Sequence, residues 1–205
     1  MILRCVTLMR RLGPVVGCCL AIVGCASYPG GQLPKRSPKD LAAPANKPSV
    51  DYSLRFLTQG TENAFAVKLA QARVDSVFAE SRMFASARPA TGTQPVHFDL
   101  VLENRGDVGM AVLSGVVCGL TLTLVPGRAR DDYILTADVT RDGTLIRQYR
   151  YEEHVATWIQ LFLIFLTPSH RPDRVVNGVI DNMLLNFLYD LQHDKLLEPA
   201  ARQGG

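Results

Sequence analysis

The stretch YILTADVTRDGTLIRQYRYEE, residues 133–153, decides the fold. Its first half alternates apolar and polar residues from Tyr133 to Val139, the period of a strand with one buried face. Asp142-Gly143 follows, and glycine supplies the positive φ that a tight two-residue turn needs. The return run, Thr144 to about Glu153, puts Leu145, Arg147, Tyr149 and Tyr151 on one side. An antiparallel hairpin is predicted, and the flanking elements must complete a sheet around it.

Upstream, Val50, Tyr52, Leu54 and Phe56 alternate as a half-buried strand. Gly60-Thr61 then opens a helix, with Thr61 as cap and Glu62 in the favourable first turn. Val67, Ala70, Val74, Val77 and Phe78 recur at helical spacing along it. A second strand, His97 to Glu103, turns Phe98, Leu100 and Leu102 inward, and Asn104-Arg105-Gly106-Asp107 reads as its turn. Val108 to Val125 carries no charge. Gly115 and Gly119 interrupt its first half, while Leu120, Leu122 and Leu124 alternate with Thr121 and Thr123. The expectation is a buried or loosely covered segment feeding a strand.

Downstream, Ala156 to Pro168 is a second apolar block, holding the only tryptophan and too short to cross a bilayer. A last helix starts near Pro172-Asp173, proline being welcome in a first turn. Val176, Val179, Ile180, Met183, Leu184, Phe187, Leu188 and Leu191 give it a wide apolar face. The order predicts one α+β domain over residues 50–197, an antiparallel or mixed sheet with two long helices packed on one face. Residues 198–205 are a polar tail.

The N-terminal region has a different character. Arg4, Arg10 and Arg11 precede an apolar run that ends at Ile22-Val23-Gly24-Cys25, the layout of a secretory signal. Ile22-Val23-Gly24-Cys25 resembles the lipobox of bacterial lipoproteins, in which a type II signal peptide is cut before a cysteine whose thiol carries a diacylglycerol. The resemblance implies a signal peptide over 1–24, lipidation at Cys25 and a palmitate-bearing membrane anchor. Ala26 leans toward the periplasmic face of the outer membrane, with the inner membrane as the alternative. The mature domain also resembles small, mostly uncharacterised proteobacterial envelope lipoproteins, through Leu113-Ser114-Gly115, Leu120-Thr121-Leu122, Val125-Pro126, Tyr133 and the Asp-Gly hairpin. No active site travels with that pattern.

From Ala26 to Ser49, Pro29, Pro34, Pro38, Pro44 and Pro48 stand among small and basic residues. Residues 25–49 therefore read as the lipidated N-terminus and a proline-rich tether with little to bury. The chain has 22 basic and 19 acidic residues; without the three arginines of the signal, 19 of each remain. A neutral domain gives no electrostatic footprint for nucleic acid. Of the five cysteines, Cys5, Cys18 and Cys19 leave with the signal and Cys25 is acylated, so Cys118 has no partner for a disulfide.

Candidate chemistry is sparse. Cys118 sits among apolar residues with nothing in sequence to lower its pKa, which points to a small buried side chain. His97 and Asp99 share a strand face, and His154 follows two glutamates, but no further residue has metal-ligand or triad spacing. No catalytic motif, cofactor or metal is expected. Trp158, Phe162 and Phe165 would suit a hydrophobic contact surface, tryptophan being favoured at headgroup level. The reading is a non-enzymatic, lipid-anchored envelope protein that binds or scaffolds an envelope protein partner. The alternatives are an accessory that handles lipid or another hydrophobic ligand in transport and, less favoured, a hydrolase.

Overall fold

The computed structural model describes residues 24–89, 94–121, 125–160 and 170–197. Seven strands form one mixed sheet: β1 (Gly24–Pro29), β2 (Ser49–Thr58), β3 (Thr61–Glu62), β4 (Ser86–Pro89), β5 (Val96–Gly106), β6 (Gly127–Arg141) and β7 (Thr144–Gln160). Their order is β1-β7-β6-β5-β2-β3, with β4 also on β2. Three α-helices accompany them: α1 (Ala64–Ser81), α2 (Val108–Leu120) and α3 (Pro172–His193). The class is α+β, as the patterning predicts.

Asp142 and Gly143 both take positive φ, 50° and 78°, which closes the β6–β7 hairpin at the predicted turn. β2 and β5 pair in parallel from Val50↔Val96 to Thr58↔Asn104. Parallel neighbours need a long crossover, and α1 lies in it.

The chain divides into two compact units. The larger holds residues 31–105, 132–154 and 177 onward. Its core lies between the sheet and the two long helices. Phe98 of β5 meets Phe78 of α1 at 6.1 Å and Phe187 of α3 at 5.3 Å, both edge-on, so both helices cover the same face. Tyr52, Leu100, Leu102, Leu135, Met183 and Leu188 fill the space around that trio. The smaller unit gathers β1, α2, the first residues of β6, the end of β7 and the start of α3.

Several expectations are corrected. Asn63, not Thr61, caps α1, its side-chain oxygen accepting from the Ala66 amide; Thr61-Glu62 instead pairs with β2 as β3. Asn104 to Gly106 continue β5 instead of turning, and the Asp107 carbonyl accepts the first bond of α2. Residues 108–120 are a helix, not a segment feeding a strand, and 122–124 lie outside the described residues. Ala156–Gln160 prolongs β7, and the rest of that block, 161–168, lies outside the described residues.

The proline-rich stretch is no free tether either. Its first residues are β1, hydrogen-bonded to β7 from Gly24↔Gln160 to Pro29↔Val155. The remainder is a strap along α3. Arg36 N–H donates to Asn182 Oδ1 at 2.9 Å, and Asn186 Nδ2 donates to the Pro34 carbonyl at 3.0 Å. Ala42 exchanges both its backbone bonds with the Gln192 amide, and the Arg36 guanidinium lies 3.5 Å over the Tyr189 ring. Proline lacks a donor but keeps its carbonyl, so side-chain amides can hold such a chain without a ladder. Residues 1–23, where a signal peptide is predicted, and the tail after Leu197 lie outside the described residues.

Candidate functional site

The smaller unit contains the residue on which the functional reading turns. Cys25 is the second residue of the edge strand β1 and faces Ile159 across an antiparallel pair. Its thiol is free and half-buried. Its neighbour Ala26, opposite Trp158, is wholly buried, and so is Ser27. Below them, Ser27 Oγ and Thr157 Oγ1 are hydrogen-bonded at 2.7 Å, and the Ser27 amide donates to the His170 carbonyl at 2.9 Å. Tyr28 packs its ring on His170 at 4.6 Å. The cysteine is therefore rooted in a fixed strand.

Helix α2 stands one step away. The Cys118 Sγ lies 3.9 Å from the carbonyl oxygen of Ile159, the residue opposite Cys25. Ser114 Oγ donates to the Arg128 carbonyl at 2.7 Å, tying the helix to the start of β6. A Cβ on Gly127 would come to 3.4 Å from the Ser114 carbonyl, so a glycine permits the close seating. Thr121 Oγ1 folds back onto the Val117 carbonyl at 2.8 Å. The side of α2 turned to the strands thus carries Ser114 and Cys118. What α2 shows to the outside is Val112, Leu113, Val116 and Leu120, exposed by 62, 59, 54 and 82%. Arg128, also exposed, holds its guanidinium 5.4 Å over the Trp158 ring.

Sequence reasoning singled out Cys25 and Trp158, and the structure brings both to one edge of the sheet. Gly24 begins β1; Ile22, Val23, Phe162 and Phe165 lie outside the described residues. Arg128 was missed, whereas the uncharged run from Val108 to Val125 stood out by composition, though not as the helical face it forms.

The residues weighed for chemistry are held in structural roles. Cys118 is buried. His97 is engaged not with Asp99 but with the buried Asp51, Nδ1 to Oδ1 at 2.8 Å; Asp51 also accepts from the Gln94 amide. Asp99 accepts from Ser53 Oγ at 2.7 Å and sits 3.6 Å from Arg55. His154 Nδ1 makes no hydrogen bond and lies 4.0 Å from Glu153. The Glu153 carboxylate is buried and accepts from the Gln32, Leu33 and His154 amides. Among the described residues, no three His, Cys, Asp or Glu side chains are grouped to hold a metal ion. A groove of about 370 Å³ beside the strap, lined by Ala42 to Asn46, Met83, Gln192, Lys195 and Leu197, brings no nucleophile and base together.

No protein-family model and no curated protein matches the chain. Solved structures to which it is similar include a PelC dodecamer from Paraburkholderia phytofirmans, at 11% identity over 80% of this chain and 98% of that one, TM-score 0.37. A minor lipoprotein from Acinetobacter baumannii is 10% identical over 77% and 99% of the two chains, TM-score 0.39. A Xanthomonas campestris protein is 12% identical over 76% and 92%, TM-score 0.38. Likenesses this distant assign neither family nor activity.

Proposed function

We propose that the chain is a lipid-anchored protein of the bacterial cell envelope, acting as a non-enzymatic binding or scaffolding domain. The observation that carries this is Cys25: it ends a lipobox and heads an edge strand with its thiol free and half-exposed. A cut before Cys25 leaves that residue as the first of β1, still paired with Ile159. Acyl chains on Cys25 then leave directly from the sheet. One acyl chain alone binds membranes only marginally, so a lipoprotein needs more than one such attachment to stay. Ala26 after the cysteine favours the periplasmic face of the outer membrane.

The non-enzymatic reading is supported by the burial of Cys118 and by the engagement of His97 with the buried Asp51, apart from Asp99. A second reading, a protein that handles a lipid or another hydrophobic ligand for envelope transport, is favoured by the exposed apolar residues of α2. Growth with radiolabelled palmitate tests the anchor. The expected result is label on the wild-type chain, none on Cys25→Ser, and the labelled form in the outer-membrane fraction. An unlabelled wild-type chain overturns it.

A further inference from the structure

Helix α2 leaves much of its apolar surface uncovered. Its packed side carries Ser114 and the buried Cys118, and its open side carries valine and leucine. Water gives no reason for that orientation, because a helix on a soluble domain turns its apolar stripe inward. Nor is α2 a spanning helix: 13 residues reach only ~20 Å, against ~30 Å of hydrocarbon. No described helix is long and apolar enough to cross a membrane.

We propose that the open face of α2 is a second membrane contact, an interfacial helix that lies on an anionic phospholipid surface beside the acylated Cys25. The inference rests on the lipid-anchor reading, because the anchor brings the bilayer to this edge. Cys25 is opposite Ile159, whose carbonyl touches Cys118 on the inner side of α2, so the root of the acyl chains is one strand pair from the helix. Trp158 and Arg128 stand in the same unit, ring against guanidinium. Tryptophan suits the headgroup layer, and an exposed arginine matches lipid phosphate. Val112, Leu113, Val116 and Leu120 enter the acyl boundary, an insertion of the depth such helices make. The uncharged run from Val108 to Gly127 lets them do so without burying a charge.

The test uses the full chain, lipidated in cells and reconstituted into phosphatidylethanolamine–phosphatidylglycerol vesicles. A reporter tryptophan is placed by Leu113→Trp with Trp158 retained, its emission read as the difference from the wild-type chain, and Val112→Trp serves in case the first substitution harms folding. Emission is compared in vesicles with and without bromine on the acyl chains. The inference expects blue-shifted emission that the bromine quenches. Adding Leu120→Asp should weaken that quenching with little change in thermal melting, since Leu120 is 82% exposed. Loss of one buried leucine corresponds to about a tenfold weaker contact. Unquenched emission overturns the inference, whether red as in water or blue as under a second protein copy. Palmitate incorporation is read on the same preparation, so a missing anchor and an unengaged helix give different results.

Discussion

Glu153 shows how one side chain can substitute for a run of secondary structure. Its two oxygens accept the amides of Gln32 and Leu33, where the strap begins, and its neighbour's amide as well. Glu153→Gln turns one acceptor into a donor facing N–H groups. The expected cost is about 1–3 kcal/mol, seen as a lower urea midpoint with faster exchange of the residue 32 and 33 amides. Unchanged exchange there would refute the pinning role. Three tyrosines make a related point with pH. Burial first, and then hydrogen bonds to Asp75, Asp194 and Asp190, push the phenols of Tyr52, Tyr149 and Tyr151 above the usual tyrosine range. The folded chain keeps these protons where the unfolded chain has lost them, so unfolding releases protons at alkaline pH. Their contribution is complete below about pH 10 and falls as pH rises beyond it. Tyrosinate absorbance of these three should therefore appear together with loss of circular dichroism, and Tyr151→Phe should flatten the alkaline fall. Tyrosinate signal from all six tyrosines before any unfolding would contradict this.

Whole elements differ in how far their sequences announced them. The hairpin was legible because a turn with two positive-φ residues separates two alternating runs. Gly143→Ala places a Cβ at φ 78° and should cost about 1 kcal/mol, with no change in the fold; a neutral result in thermal melts would mean the turn relaxes freely. Helix α3 was legible for the opposite reason, a wide apolar face at helical spacing. Helix α2 was not. Periodicity reports the contrast between two faces, and here the open face is as apolar as a core while Ser114 is on the packed side. Leu120-Thr121-Leu122-Thr123-Leu124 then imitated a strand, although Thr121 bonds back to the last turn of the helix. The candidate site divides along the same line. Cys25 and Trp158 were visible as residue types in a pattern. The closeness of α2 to them comes from Gly127 and from Cys118 on Ile159, contacts between positions far apart in sequence.

At the scale of the molecule, the placement of residues 31–48 changes what the anchor can do. A polyproline tether of that length would let a domain roam several tens of ångströms from its lipid, at ~3.1 Å per residue. The strap removes that freedom, because Asn182, Asn186, Tyr189 and Gln192 form a polar stripe along α3 that holds it. These partners are about 150 residues from the strap in sequence, which no local pattern could reveal. A held segment and a loose one differ in a measurable way. The strap contains Lys35, Arg36 and Lys39, trypsin sites in a stretch whose composition alone would predict rapid cleavage, while Lys47 is protected by Pro48 after it. Cleavage requires the backbone to leave its partners, so the native chain should resist trypsin at Lys35 and Arg36 under conditions that cut an unfolded control at once. Asn182→Ala with Asn186→Ala removes two of the holding amides and should speed cleavage there by about tenfold or more, each lost bond being worth ~1 kcal/mol. The sheet core should remain intact by circular dichroism. Rapid cutting of the wild-type chain at Lys35 would restore the free tether, and the proposed anchor would then act through a leash instead of through an edge strand of the sheet.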